Sequence, residues 1–203
     1  MKRMRILGLF LLLAGGLSAA CIIGESSRRP RKPGELDFKL DTFTYLEEGK
    51  IVALAVGTEA TRWREKEPYI PLAICLANKG ASTLKITRES FTLQDENGKR
   101  YSAIPVSELT AGYGPQDLDR SFTGTFSVFL SRYSTFDLVQ SNFYPGRSSP
   151  GVAIDRVEIP RSNRISDWLY FPRPETGVVG HRFELHLNCP GLQDGVFVKF
   201  LVD

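Results

Sequence analysis

Apolar and polar positions alternate with a period of two through most of the chain, the period of β-strands rather than of helices. Leu36, Phe38 and Leu40 are interleaved with charged residues, and a continuous apolar run at 51–56 follows the polar turn Glu47-Glu48-Gly49-Lys50. In YIPLAICLAN, residues 69–78, Ile70, Leu72, Ile74 and Leu76 share one face while small residues occupy the other, the pattern of a strand covered on both sides. Lys79-Gly80 turns the chain, and Leu84, Ile86, Phe91 and Leu93 keep the period. Asn97-Gly98 then predicts a type I′ hairpin, because both central positions of that turn need a positive φ. Four late segments, VAIDRVEI, DWLYF, HRFELHL and VFVKFLV, are separated by Pro, Gly and Asn and read as further strands. Helical signal is confined to single turns at Ser107-Glu108-Leu109 and at 115–120. Short strands at this spacing predict an all-β antiparallel sandwich, residues 35–203 forming one domain with a long irregular excursion at 105–150.

The order YIPLAICLANKGASTLKITRESFTLQDENGKRY, residues 69–101, resembles the immunoglobulin-like domain of many secreted and lipid-anchored bacterial proteins of unknown function. In that family an alternating strand ends in Asn, a Gly turn and a short strand follow, and a hairpin of the pattern SFxLxDxxGxxY comes next. VFVKFLV fits the family's closing strand, whereas 105–150 matches nothing in it. The resemblance implies an immunoglobulin-like β-sandwich without catalysis, and a fold of this kind is a poor guide to function.

The first residues follow a different pattern. Lys2, Arg3 and Arg5 precede an apolar stretch at 6–13 and then the small residues Ala14, Gly15, Gly16, Ser18, Ala19 and Ala20, the order of a secretory signal. The apolar stretch is shorter than the about 20 residues a spanning helix needs. Leu17-Ser18-Ala19-Ala20-Cys21 resembles the bacterial lipobox, with Ser18 at the position where that motif favours Leu. The resemblance implies removal of residues 1–20 and a lipid on Cys21; ordinary cleavage after Ala20, without lipid, is the alternative. Ile22 rather than Asp follows the cysteine, which resembles lipoproteins sent to the outer membrane where an organism has two membranes. With one membrane, the domain would face outside. Residues 21–34 carry Pro30, Pro33 and the basic Arg28, Arg29, Arg31 and Lys32, and read as a flexible tether. Each of those charges contributes about 1 kcal/mol close to an anionic surface; a solvated spacer is the alternative.

The tether changes the charge argument. The whole chain has 26 Lys and Arg against 23 Asp and Glu, but seven of the basic residues named above lie in the signal and tether. The remaining body is slightly acidic, so the basic balance does not point to nucleic acid. Export also changes the cysteines. Cys75 and Cys189 are the two that remain in an oxidising compartment, where they invite a disulfide closing a long loop worth about 4–5 kcal/mol. Two buried, unpaired thiols are the alternative.

The excursion carries Phe122, Phe126, Phe129, Tyr133, Phe136, Phe143 and Tyr144, interleaved with Ser, Thr, Asn and Arg. That mixture suits a recognition loop, in which rigid rings supply contact area at low entropic cost. Arg132, Tyr133, Asn142, Tyr144 and Arg147 are the candidate contact surface; the competing reading places the rings in the core. Trp168, Tyr170 and Phe171 suit either a sugar-stacking platform or a strand with a buried Trp, the latter being commoner in sandwiches. His181 and His186 are an odd number of residues apart, which on a strand puts them on opposite faces and disfavours a shared metal. No Gly-x-Ser-x-Gly elbow marks a nucleophile, so hydrolase chemistry is not expected. Asp95-Glu96-Asn97-Gly98 and Asp117-Leu118-Asp119 fall short of a calcium loop and read as turn chemistry. The sequence thus predicts a non-catalytic cell-envelope lipoprotein without metal or cofactor. It would be held to the membrane through Cys21 and would contact an envelope protein, or glycan or peptidoglycan through exposed aromatics.

Overall fold

The computed structural model describes residues 35–122, 126–148 and 151–203; the signal, the tether and Cys21 lie outside them. Strands β1 (Phe38–Lys39), β2 (Thr44–Glu48), β3 (Val52–Gly57), β4 (Tyr69–Asn78), β8 (Asp137–Leu138) and β10 (Asn163–Pro172) form a six-stranded sheet in the order β1-β2-β3-β4-β10-β8. A second sheet has the order β12-β11-β6-β7, from β6 (Phe91–Asp95), β7 (Arg100–Ser102), β11 (Arg182–Leu187) and β12 (Val196–Leu201). β5 (Thr83–Thr87) pairs with β9 (Arg156–Pro160) alone. Neighbouring strands are antiparallel except β10 and β8. The described residues also form short α-helices, α1 (Glu59–Trp63), α2 (Val106–Gly112), α3 (Gln116–Asp119) and α4 (Ser127–Arg132), and a 3-10 turn at Arg88–Ser90. The all-β class expected from the alternation is the class observed.

The alternation explains the core. Ile70, Leu72, Ile74 and Leu76 of β4 bury their side chains with Val52, Leu54 and Val56 of β3 and with Leu93, Leu185, Val198 and Phe200 of the second sheet. Full burial of such a side chain contributes about 1.5–3 kcal/mol, so this shared layer holds the two sheets together. The opposite face of the six-stranded sheet carries Leu46, Ala53, Ala55, Ala73, Cys75 and Ala77, and a separate apolar cluster forms there with Phe126, Phe129 and Tyr133.

Three local expectations need correction. The strand expected around Leu36, Phe38 and Leu40 shrinks to β1, because Asp41 turns the chain by accepting bonds from the Phe43 N–H and the Thr44 hydroxyl, each at 2.9 Å. The hairpin at Asn97-Gly98 forms, but not as type I′. Gly98 alone of the pair has a positive φ, and the Asp95 carboxylate organises the loop by accepting from the N–H groups of Asn97 at 3.0 Å and Lys99 at 2.9 Å. The disulfide does not form: Cys75 and Cys189 are both free thiols. Between the inward-facing Ile74 and Leu76, Cys75 points to the outer face of its sheet, while Cys189 packs against the main core from beyond β11. The sheet itself separates them.

Candidate interaction surface

The aromatic excursion is structural. Tyr133 is 4% exposed, its ring packed 4.7 Å from Phe129 and 5.2 Å from Phe136 between centroids, and its hydroxyl donates to Glu48 at 2.7 Å. Burial, with the Glu48 carboxylate beside it, pushes that phenol well above its ordinary pKa. Tyr144 is fully buried, donates to the Ile104 carbonyl at 2.6 Å and meets Tyr170 edge-on. Neither ring is available to a partner, which overturns their assignment to a contact surface. Tyr133 is drawn in by the alanine-rich outer face of β3 and β4, a shallow apolar floor that added side chains cover, whereas Tyr144 completes the main core between the sheets. The three other candidates are ties. Arg132 is exposed and pairs with Glu48 at 2.7 Å, half-buried Asn142 accepts from Arg120 at 3.3 Å, and exposed Arg147 donates to the Thr110 carbonyl at 2.6 Å. Trp168 is half-buried between the two apolar clusters, and Tyr170 and Phe171 are fully buried, so no aromatic platform forms there.

A buried polar node holds the excursion at its other end. Asp119 is fully buried and accepts from Tyr113 at 2.7 Å, Arg64 Nε at 2.8 Å and Tyr170 at 3.4 Å. Burial outweighs those donors and raises the carboxyl above its ordinary pKa. The run Asp117-Leu118-Asp119 reads as turn chemistry and signals no buried carboxylate, because the donors to Asp119 come from the residues that follow α1 and α2 and from β10. Asp117 does behave as a turn residue, accepting from the N–H and hydroxyl of Ser148 at 3.0 and 2.6 Å.

The two histidines act separately. His181 contacts Glu96 at 2.8 Å and thereby lowers the pKa of that carboxyl, whereas His186 contacts Glu184 at 3.0 Å and stacks on Phe197. A groove of about 350 Å³ runs beside them, lined by Glu35, Leu36, Gln94, Glu96, Arg182 and Glu184 among others. Within it Glu184 also accepts from Lys199 at 3.0 Å. Among the described residues no group of three or more His, Cys, Asp or Glu is placed to hold a metal ion, and no helix is long and apolar enough to cross a membrane.

An exposed aromatic cluster lies outside the excursion, at α1. Trp63, at the end of α1, is 63% exposed. The guanidinium of Arg62 sits 5.9 Å from the Trp63 ring and 5.8 Å from the ring of Phe43, so one cation is layered against two aromatics. Two contacts fix this arrangement: the Thr58 N–H donates to the Phe43 carbonyl at 2.8 Å, and the buried Thr61 hydroxyl donates to the Pro71 carbonyl at 2.5 Å. Arg64, next in the chain, is pinned on Asp119. The cluster stands beyond the Thr44 end of β2, while the chain reaches β1 from the side of Glu48.

Fold and surface together define an all-β domain of two main sheets and a separate two-stranded pair, with an exposed Trp–Arg cluster among the described residues. No family model matches the chain, and no curated protein matches it. Two solved structures from Bacillus subtilis are similar. One is ycdA, provisionally classed as a lipoprotein, with a TM-score of 0.38 at 13% identity over 77% of this chain and 38% of that one. The other is the yjhA protein, with a TM-score of 0.36 at 9% identity over 84% of this chain and 97% of that one. The chain therefore spans well under half the length of ycdA, and likenesses at these scores carry no argument about function.

Proposed function

We propose that this chain is an exported, lipid-anchored cell-envelope protein whose folded part is non-catalytic, of immunoglobulin-like type, and acts by holding another protein. The observation that carries the contact surface is the Phe43–Arg62–Trp63 cluster. Trp and Arg are the residue types that concentrate binding energy at interfaces, and a tryptophan exposed this far gains most when a partner covers it. Anchoring rests on the signal-like order of residues 1–20 and the lipobox-like Leu17-Ser18-Ala19-Ala20-Cys21.

A photo-crosslinking amino acid placed at exposed Thr42, next to Phe43 of the cluster, in the native envelope tests this reading. The expected product is a single recurrent protein adduct that disappears when Arg62→Ala is added. Adducts to glycan alone would replace the reading with a carbohydrate-binding one, in which Trp63 stacks on a sugar face, and absence of any adduct would reject both.

A further inference from the structure

We propose that residues 126–136 form a strap that opens away from the six-stranded sheet while the two-sheet core stays folded, with Glu48 as its latch. The apolar contacts of the strap are a unit of their own. Phe126, Phe129 and Tyr133 cluster with Leu46, Ala53, Ala55, Ala73, Cys75 and Ala77, whereas the main core lies on the other face of the same strands. Lifting the rings leaves the pairing of β2, β3 and β4 intact, since inward side chains and the β-ladder hold those strands in place.

The polar hold is concentrated on one carboxylate. Glu48, the last residue of β2, accepts from the Tyr133 hydroxyl at 2.7 Å, from Arg132 at 2.7 Å and from Lys79 at 3.1 Å. Two of those three donors belong to the strap. Its helix α4 has six residues and no side-chain cap at its start, too short to persist without the sheet beneath it. The outer side of α4, with Ser127, Val128, Ser131 and Arg132, is exposed. The downstream tie is β8, two residues long and paired with β10 alone. Among the described residues, an apolar cluster separate from the main core, polar ties gathered on one carboxylate and a short helix are the features of a segment that opens below the free energy of global unfolding.

Cys75 reports on this motion. It is fully buried beneath the strap, where burial pushes its thiol up to about 12, while Cys189 lies outside the strap and serves as the reference. The test follows alkylation of each cysteine in the full folded chain by peptide mapping, over a range of sub-denaturing urea, together with hydrogen exchange of 126–136. The expected result is Cys75 modification faster than global unfolding, with a shallow dependence on urea. Glu48→Gln and Tyr133→Phe should each accelerate it about tenfold, the scale of one hydrogen bond to a charged group, and leave Cys189 unchanged. Tyr133→Phe keeps the ring, so it remains informative if Glu48→Gln folds poorly. If Cys75 modification follows the full urea slope of global unfolding, or if both thiols accelerate together, the strap has no independent opening and the proposal fails.

Discussion

Asp119 illustrates how far a single residue's surroundings depart from its local sequence. Its donors, Tyr113, Tyr170 and Arg64, lie 6, 51 and 55 residues away, so the Asp117-Leu118-Asp119 run gave no sign of them. Removing the carboxylate strands a partly buried guanidinium, and Asp119→Ala should cost about 3–5 kcal/mol in urea denaturation. The pH dependence has a definite sign. Because the folded carboxyl is raised, the folded state holds its proton longer than the unfolded state. The stability of the wild type relative to Asp119→Asn should therefore fall as pH rises from the ordinary aspartate value through the raised one. A pH-independent difference would contradict the buried placement. The cysteines offer a second check: both Cys75 and Cys189 should alkylate fully in denaturant without reductant, and protection of the pair would restore the disulfide that the two faces of the sheet forbid.

Strands, by contrast, were legible wherever an apolar face met a single core. The segment 69–78 reads as a strand and forms β4 over the same residues, with Ile70, Leu72, Ile74 and Leu76 inward as the pattern requires. Its small-residue face was equally visible, but the pattern does not say what covers it. The cover is α4 and its flanking rings, and the close approach depends on side chains no larger than alanine or cysteine beneath them. Ala55→Leu should overpack that layer and destabilise by about 1–3 kcal/mol, with loss of amide protection concentrated in 126–136. Uniform loss across β11 and β12 instead would place Ala55 in the main core. The β1–β2 region was misread for a related reason: Asp41 makes its turn through side-chain bonds that alternation cannot encode.

For the molecule as a whole, the predicted consequences concern attachment and contact. Cys21→Ser should move the protein from the membrane to the soluble fraction, and unchanged membrane retention would count against acylation. Trp63→Ala should leave the denaturation midpoint almost unmoved, within about 0.5 kcal/mol as for exposed side chains generally, while abolishing the crosslinked adduct. A large loss of stability would reassign Trp63 to packing. The sequence by itself determined the all-β class, most of the strands and the inward face of each, because burial against one layer imposes a period of two on the chain. Tertiary structure alone decided which rings are buried, that the two thiols stay apart, and that Tyr133 closes on Glu48, 85 residues away. Those outcomes depend on which side of a sheet a distant segment covers, and strand periodicity, being a property of neighbours in sequence, carries no information about it.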